Sequence, residues 1–415
     1  MAKKKRLTPA SPWVELATTL LVEGVTGVLV GTRALLGEGW NCRPLNVLVD
    51  MTIATTGVSV QQMRGRTLRL DPADPEKVAS NWDVVCVAPD LVRGTADYER
   101  FVRKHLHLFA PAEDGEVEAG PSHVHPELGP FAPPPVAQFA ALNAAQLARA
   151  SDRARARELW QVGTPYRGVE LPTLLVRPSQ PGAAPPVLHG SARTVHLSQR
   201  VPIASGLGGA AAFGVLGVAT GAPVELAGLA LAPAGLGWAA WRLRSVKQRL
   251  PLVLPLDGAA RAVAEAYREL GELTPEAAAS LTIEPRAAGY LRCELSQATP
   301  AEGRRFAAAL DELVSVSDAP RYLVSRPLAD PRRGALGLLG RVLTRRPPFD
   351  ERLHPVPKDL ARNKERAEAF AQAWSRYVGP GRLVFTQRSD EGREARAEAA
   401  SADGGYETAL RDVWV

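Results

Sequence analysis

Residues 13–109 repeat one pattern, in which short apolar runs without polar alternation are separated by stretches of helical spacing. Trp13 to Glu23 has helical spacing. Val25 to Val30, VTGVLV, is bounded by Gly24 and Gly31 and reads as a strand. Leu45 to Val49 and Trp82 to Ala88 read as two more strands, with a helix between them from Ser59, as its cap, to Leu70 and another from about Asp97 to Phe109. A strand that is apolar on both faces is buried on both, which is the condition of a parallel sheet covered by helices. Strands alternating with helices therefore predict an α/β fold with a parallel sheet.

The pattern then changes. Ala110 to Pro135 is acidic and rich in turn formers and reads as a surface connection, followed by a long Ala- and Arg-rich helix from about Val136 to Trp160 that stops at Gly163 and Pro165. Residues 171–199 read as a strand and a polar, Pro-rich linker. Helices at Gly258 to Leu270 and Ala301 to Val314, with strands at Ser280 to Glu284, Tyr290 to Leu295 and Arg321 to Ser325, suggest a small α+β module. A basic linker at 331–350, a helix from Lys358 to Val378 and a strand from Arg382 to Thr386 complete the chain. The expected domains are 1–110, 111–199, 200–250, 251–330 and 331–415.

From Val201 to Trp241 the only formally charged side chain is Glu225, and charge returns at once outside, with Arg200 before and Arg242, Arg244, Lys247 and Arg249 after. Pro202 to Thr220 and Val224 to Trp241, joined by Gly221 and Pro223, are each long enough as helices to cross about 30 Å of hydrocarbon. Basic flanks and Trp238 and Trp241 match a membrane hairpin with both ends in the cytoplasm. Gly206, Gly209, Gly214 and Gly217 would allow close helix packing in lipid. The alternative is an Ala/Gly-rich helical hairpin buried in a soluble domain.

Composition narrows the class. With 46% apolar residues a chain of 415 residues can bury a large core, which excludes a disordered protein. The formal charge of +6, from 50 Lys and Arg against 44 Asp and Glu, is a mild bias toward a polyanionic partner. Cys42, Cys86 and Cys293 lie far apart, so neither a disulfide framework nor a zinc ribbon is indicated, and a reducing cytoplasm is the expected compartment. MAKKKR at the start is basic, but no apolar stretch of signal-peptide length follows it.

The chemistry is concentrated in VLVGTRALLGEGWNCRPLNVLVDMTIATTGVSVQQMRGRTLRLDP, from Val28 to Pro72. On a helix Gln62, Arg66 and Arg69 stand at i, i+4 and i+7, which puts all three on one face. Two guanidinium groups aimed at one point suit a triphosphate, whose transition state spreads negative charge. Upstream, Gly31, Thr32 and Arg33 close the first strand, and Gly37, Glu38, Gly39, Trp40 and Asn41 form a turn at the sheet's carboxyl edge, where α/β proteins place ligands.

This stretch resembles the motif V and motif VI region of superfamily 2 helicases of the DEAD/DEAH and type III restriction kind. Gln62, Gly65, Arg66 and Arg69 fit the family's Gln, two residues, Gly-Arg, two residues, Arg. The resemblance covers roughly residues 14–109 and implies a partial RecA-like second motor domain. It implies that Arg66 and Arg69 are arginine fingers, that Gln62, Gly65, Glu38, Gly39 and Asn41 serve the nucleotide, and that Gly31, Thr32 and Arg33 touch the nucleic-acid backbone. Asn41 stands where the family has an acidic residue on the ATP ribose; an amide can also hydrogen-bond a hydroxyl.

No GxxxxGK[ST] loop and no DExH or DExD box occurs in the chain. ATP and Mg2+ would then be held mainly by a first RecA-type domain in an upstream segment or another polypeptide. The chain is expected to be a helicase-family ATPase only in that company and inactive alone, with DNA preferred over RNA. It would work in the cytoplasm, anchored through 202–241 to the membrane's inner face. The runner-up is a non-catalytic, membrane-anchored assembly protein with a relic helicase sheet. Other motifs carry less. His123 and His125 form an HxH read as solvent-exposed, His105 and His107 fall on different faces of one helix, Ser205 lacks a GxSxG context, and no metal site is expected.

Overall fold

The computed structural model describes residues 12–36, 40–161, 165, 168–179, 254–315, 320–328, 350–387, 390–401 and 405–415. The apolar hairpin at 202–241 and most of the basic linker lie outside these residues, and so do Glu38 and Gly39. No helix among the described residues is long and apolar enough to cross a membrane. The fold is mixed α/β, with a small parallel sheet and antiparallel sheets. It divides into two compact units, Met1–Glu170 with Arg411–Val415, and Leu171–Leu410.

In the first unit helix α1 (Pro12–Val22) precedes strand β1 (Val47–Asp50), helix α2 (Gly57–Arg64), strand β2 (Ser80–Asp83) and helix α3 (Ala96–His105). β1 and β2 pair in parallel, with Val47 opposite Ser80 and Asp50 opposite Asp83, so the two carboxylates share the carboxyl edge. A hairpin of β3 (Phe109–Pro111) and β4 (Val117–Ala119) follows, then a 3-10 turn at Pro121–His123 and helices α4 (Phe139–Ser151) and α5 (Arg153–Leu159).

Three expectations need correction here. Val25 to Val30 does not form a strand. Gly24, at φ 73°, ends α1 in a left-handed turn, the Thr26 hydroxyl donates to the Val28 carbonyl at 3.0 Å, and Val28 and Val30 stand 74% and 90% exposed. A strand with no neighbour cannot pair its backbone groups, so this run stays irregular despite its apolar composition.

The helix expected over Ser59 to Leu70 starts earlier, after Thr56, and stops at Arg64. The Gly65 N–H still reaches the Gln61 carbonyl at 2.8 Å, but the next bonds contract to Arg66 on Met63 and Thr67 on Arg64. The Thr67 hydroxyl also donates to the Arg64 carbonyl at 2.7 Å, a side-chain bond that competes with continuation of the helix. Arg66 and Arg69 therefore lie in turns beyond the helix, and helical spacing is not what places them. The long helix after Val136 is likewise broken at Asp152, whose carboxylate accepts the Arg155 N–H at 2.9 Å and caps α5.

The second unit runs through β5 (Glu170–Pro178), α6 (Leu256–Glu269), α7 (Pro275–Ala279), β6 (Leu281–Pro285), β7 (Leu291–Leu295) and α8 (Pro300–Val314). It continues through β8 (Tyr322–Leu328), β9 (Asp350–Pro355), α9 (Lys364–Tyr377), β10 (Leu383–Phe385), α10 (Asp390–Ser401) and β11 (Tyr406–Trp414), whose last residues count with the first unit. β7 pairs antiparallel with β5 and β6, and β8 with β9 and β10.

Its core is built around α6 and α9. α6 buries Ala259, Ala262, Val263, Ala266 and Tyr267, α9 buries Phe370 and Trp374, and the Trp374 indole N–H donates to the Ser325 carbonyl at 3.1 Å. Small residues allow this approach, since a Cβ on Gly258 would stand 2.8 Å from the Tyr377 carbonyl oxygen. α8 opens on a capping box, in which Thr299 and Glu302 satisfy each other's backbone N–H groups. The Arg366 guanidinium grips the Glu272 carboxylate at 2.5 and 3.0 Å and Asp359 at 2.9 Å.

Candidate functional site

Two polar arrangements lie in the first unit, one around the loop that leads into β1 and the other at the last residues of β1 and β2. The first centres on Trp40, which is buried and whose indole N–H donates to the Thr18 hydroxyl of α1 at 2.8 Å. Arg66 and Arg69 both donate through Nη1 to the Trp40 carbonyl oxygen, at 2.5 and 3.2 Å. Arg69 also donates to the Asn41 side-chain oxygen, and the Arg66 guanidinium stands 5.8 Å from the Trp40 ring centroid. Lys77 secures the same turn from behind, donating to the carbonyls of Arg43 at 2.6 Å and Arg69 at 2.8 Å. Partial burial and the charge of Arg69 lower the pKa of Arg66.

The structure thus brings Asn41 together with Arg66 and Arg69, which lie 25 and more residues further along the chain. The other expected residues are placed differently. Gln62 is exposed on α2, and Gly65 caps that helix. Gly31, Thr32 and Arg33 are exposed, and the Thr32 carbonyl and hydroxyl receive the N–H of Leu35 at 3.0 and 3.4 Å.

The second arrangement is a buried ionic network that sequence reasoning missed. Lys104 Nζ donates to Asp50 Oδ2 at 2.8 Å and to Asp83 Oδ1 at 3.1 Å. Asp50 also accepts the Thr52 N–H at 2.8 Å. Asp83 Oδ2 takes a bond from Arg64 Nη2 and lies 3.1 Å from His105 Nε2, while His105 Nδ1 lies 3.3 Å from His123 Nε2. Asp83 would be raised by burial, but the His105 bond and the charges of Arg64 and Lys104 outweigh it and hold the carboxyl at about 2. Burial pushes His105 down, and it takes His123 down to about 3, so both imidazoles are neutral at pH 7. Two carboxylates face one ammonium and one guanidinium group, so the formal charges of the cluster balance.

Each member has a local cause. Asp50 and Asp83 occupy the last positions of strands in parallel register, and α3 carries Lys104 and His105 on its buried side. His123 arrives through Gly120, whose φ of 102° turns the chain out of β4 while its N–H donates to the His105 carbonyl at 3.0 Å. The HxH histidine read as solvent-exposed is therefore buried, because this turn folds it onto His105. A carboxylate ending an apolar strand was the one visible signal, as in VLVD. No group of three or more His, Cys, Asp or Glu among the described residues could hold a metal ion.

Beside the network lies a cavity of about 720 Å³ within the first unit, bounded by Asp83, His105, His123, Tyr98 and Phe101 and by side chains of α4 and α5. Arg149 of α4 donates to the carbonyls of His123, Val124 and Pro111 at 2.9, 2.8 and 3.1 Å. Comparison with models of protein families, with curated proteins and with solved structures returns no match.

Proposed function

We propose that the first unit is the arginine-finger half of a superfamily 2 nucleic-acid motor. It would act on ATP and Mg2+ bound largely by a first RecA-like domain, with DNA rather than RNA as the track. The observation that carries this reading is the convergence of Arg66 and Arg69 on one oxygen beside Asn41, the geometry by which two cations grip a single phosphate oxygen. These side chains come from the two sequence stretches that resemble motifs V and VI.

A second observation supports the partner. The outer face of β1 is apolar, yet Val47 and Val49 remain 43% and 53% exposed on it, and Met51 and Ile53 beyond them are more exposed still. Parallel sheets are stable when both faces are covered, so this bare face suits an α/β partner that packs apolar side chains against it.

The test is ATP hydrolysis by the chain mixed with a P-loop-bearing first motor domain and single-stranded DNA. Turnover should need both proteins, and Arg66→Ala or Arg69→Ala should reduce it by about a thousandfold while ATP binding persists. Turnover by the chain alone, or full activity of both variants, overturns the reading and leaves the non-catalytic assembly protein in its place.

A further inference from the structure

The cavity beside the network has a construction that the motor reading does not use. Tyr98, Phe101 and His105 stand at i, i+3 and i+7 on the buried face of α3, and with His123 they form a ladder of rings. Successive centroids are 5.8, 4.4 and 5.0 Å apart, and all four rings line the cavity. The Tyr98 hydroxyl donates to the Gly129 carbonyl at 2.7 Å, which fixes the far end of the ladder. The volume, about 720 Å³, falls in the range of small-molecule sites.

Charge then restricts the ligand. The ionised groups of the lining already have partners: Arg64 lies on Asp83, Arg149 on three carbonyls, Arg155 on Glu158 at 2.8 Å, and Asp152 on the Arg155 N–H. An ionised ligand would have to displace these bonds to reach a counter-charge, at a cost that a neutral one avoids. His105 spends both nitrogens on Asp83 and His123, so the polar atom left at the end of this otherwise aromatic wall is His123 Nδ1, which has no hydrogen-bond partner among the described residues.

We propose that this cavity binds a small, flat, uncharged heteroaromatic molecule, stacked in continuation of the ring ladder with its hydrogen-bonding edge toward the His105–His123 pair. Offset or tilted stacking against the rings provides the contact area, and His123 Nδ1 selects heteroaromatic over purely hydrocarbon rings. The same chemistry is offered by a free compound and by a base within a nucleic-acid strand; the inference commits to the free compound.

The experiment uses the full chain with isotope-labelled histidine and titrates indole, quinazoline, adenine, naphthalene and a single-stranded oligonucleotide. The expected result is saturable binding of the free heteroaromatics that shifts the imidazole signals of His105 and His123 and leaves His354, in the other unit, unmoved. Leu142→Trp, which fills the cavity, and Phe101→Leu, which breaks the ladder, should each weaken binding at least about tenfold. His123→Phe should weaken adenine and spare naphthalene. Absence of saturable binding by the native chain overturns the proposal whatever the variants do. So does an equal shift at His354, or binding of the oligonucleotide alone.

Discussion

Asp50 and Asp83 stand opposite one another at the last paired positions of two parallel strands, and one ammonium group, Lys104 Nζ, bonds both at 2.8 and 3.1 Å. Both carboxylates are almost fully buried. Without that bridge two like charges would face each other in a medium that screens them poorly. Arg64 and His105 complete the enclosure on the Asp83 side, and the end of α2 is thereby tied to the end of β2.

Lys104→Met should destabilise the first unit by about 3–5 kcal/mol, because it strands a buried carboxylate rather than merely removing a bond. Urea unfolding followed by tryptophan fluorescence measures this. The double variant Asp50→Asn, Lys104→Met should recover part of the loss. A single variant as stable as the native chain would contradict the buried network.

Stability should fall on mild acidification. His105 and His123 are held below their ordinary value of 6.5, His123 at about 3, so the unfolded chain takes up their protons first. The contribution of His123 is complete above about pH 6.5 and is lost as pH falls toward 3, at up to about 1.4 kcal/mol per pH unit, and His105 adds a loss of the same sign. His123→Gln should lower the slope of unfolding free energy against pH between 4 and 6 by about one proton. Asp83 adds a further loss between its ordinary 3.8 and about 2.

Thr67 is fully buried, and its hydroxyl donates to the Arg64 carbonyl while lying 3.0 Å from the Asn81 side-chain oxygen. Thr67→Val keeps the shape and removes the polar atom, leaving part-buried acceptors behind. A loss of about 1–3 kcal/mol is expected, read from the shift in denaturation midpoint; Thr67→Ser should retain most of the native stability.

In the second unit Gly258→Ala would place a Cβ 2.8 Å from the Tyr377 carbonyl oxygen, a backbone atom that cannot swing aside. The substitution should force α6 and α9 apart and cost about 1–3 kcal/mol, despite the better helix propensity of alanine. Arg261→Ala, on the exposed side of the same helix, should stay within about 0.5 kcal/mol. Equal melting temperatures for the two variants would exclude the close approach.

Legibility from sequence followed the range of the forces involved. α6, α8, β6 and β7 lie within about two residues of their expected bounds, because apolar periodicity, the Thr299–Glu302 cap and flanking turns are local signals. α2 ends before its expected bound, since the Thr67 hydroxyl that helps end it also lies 3.0 Å from the Asn81 side-chain oxygen, 14 residues away. The buried network was illegible for the same reason. Asp50 and Lys104 are 54 residues apart, and no local pattern distinguishes Lys104 from an ordinary solvated lysine on a helix.

What the amino-acid order determined by itself was the alternation of apolar runs and helices, and the presence of Arg66 and Arg69 in one short stretch with Asn41. Tertiary structure decided that Arg66 and Arg69 meet at the Trp40 carbonyl from turns rather than from a helix face, and that Val25 to Val30 is left without a strand partner. It also decided that His123 is buried against His105. Periodicity encodes which face of an element is apolar, whereas the choice of partner depends on chain segments brought together only when backbone groups and charges must be satisfied away from water.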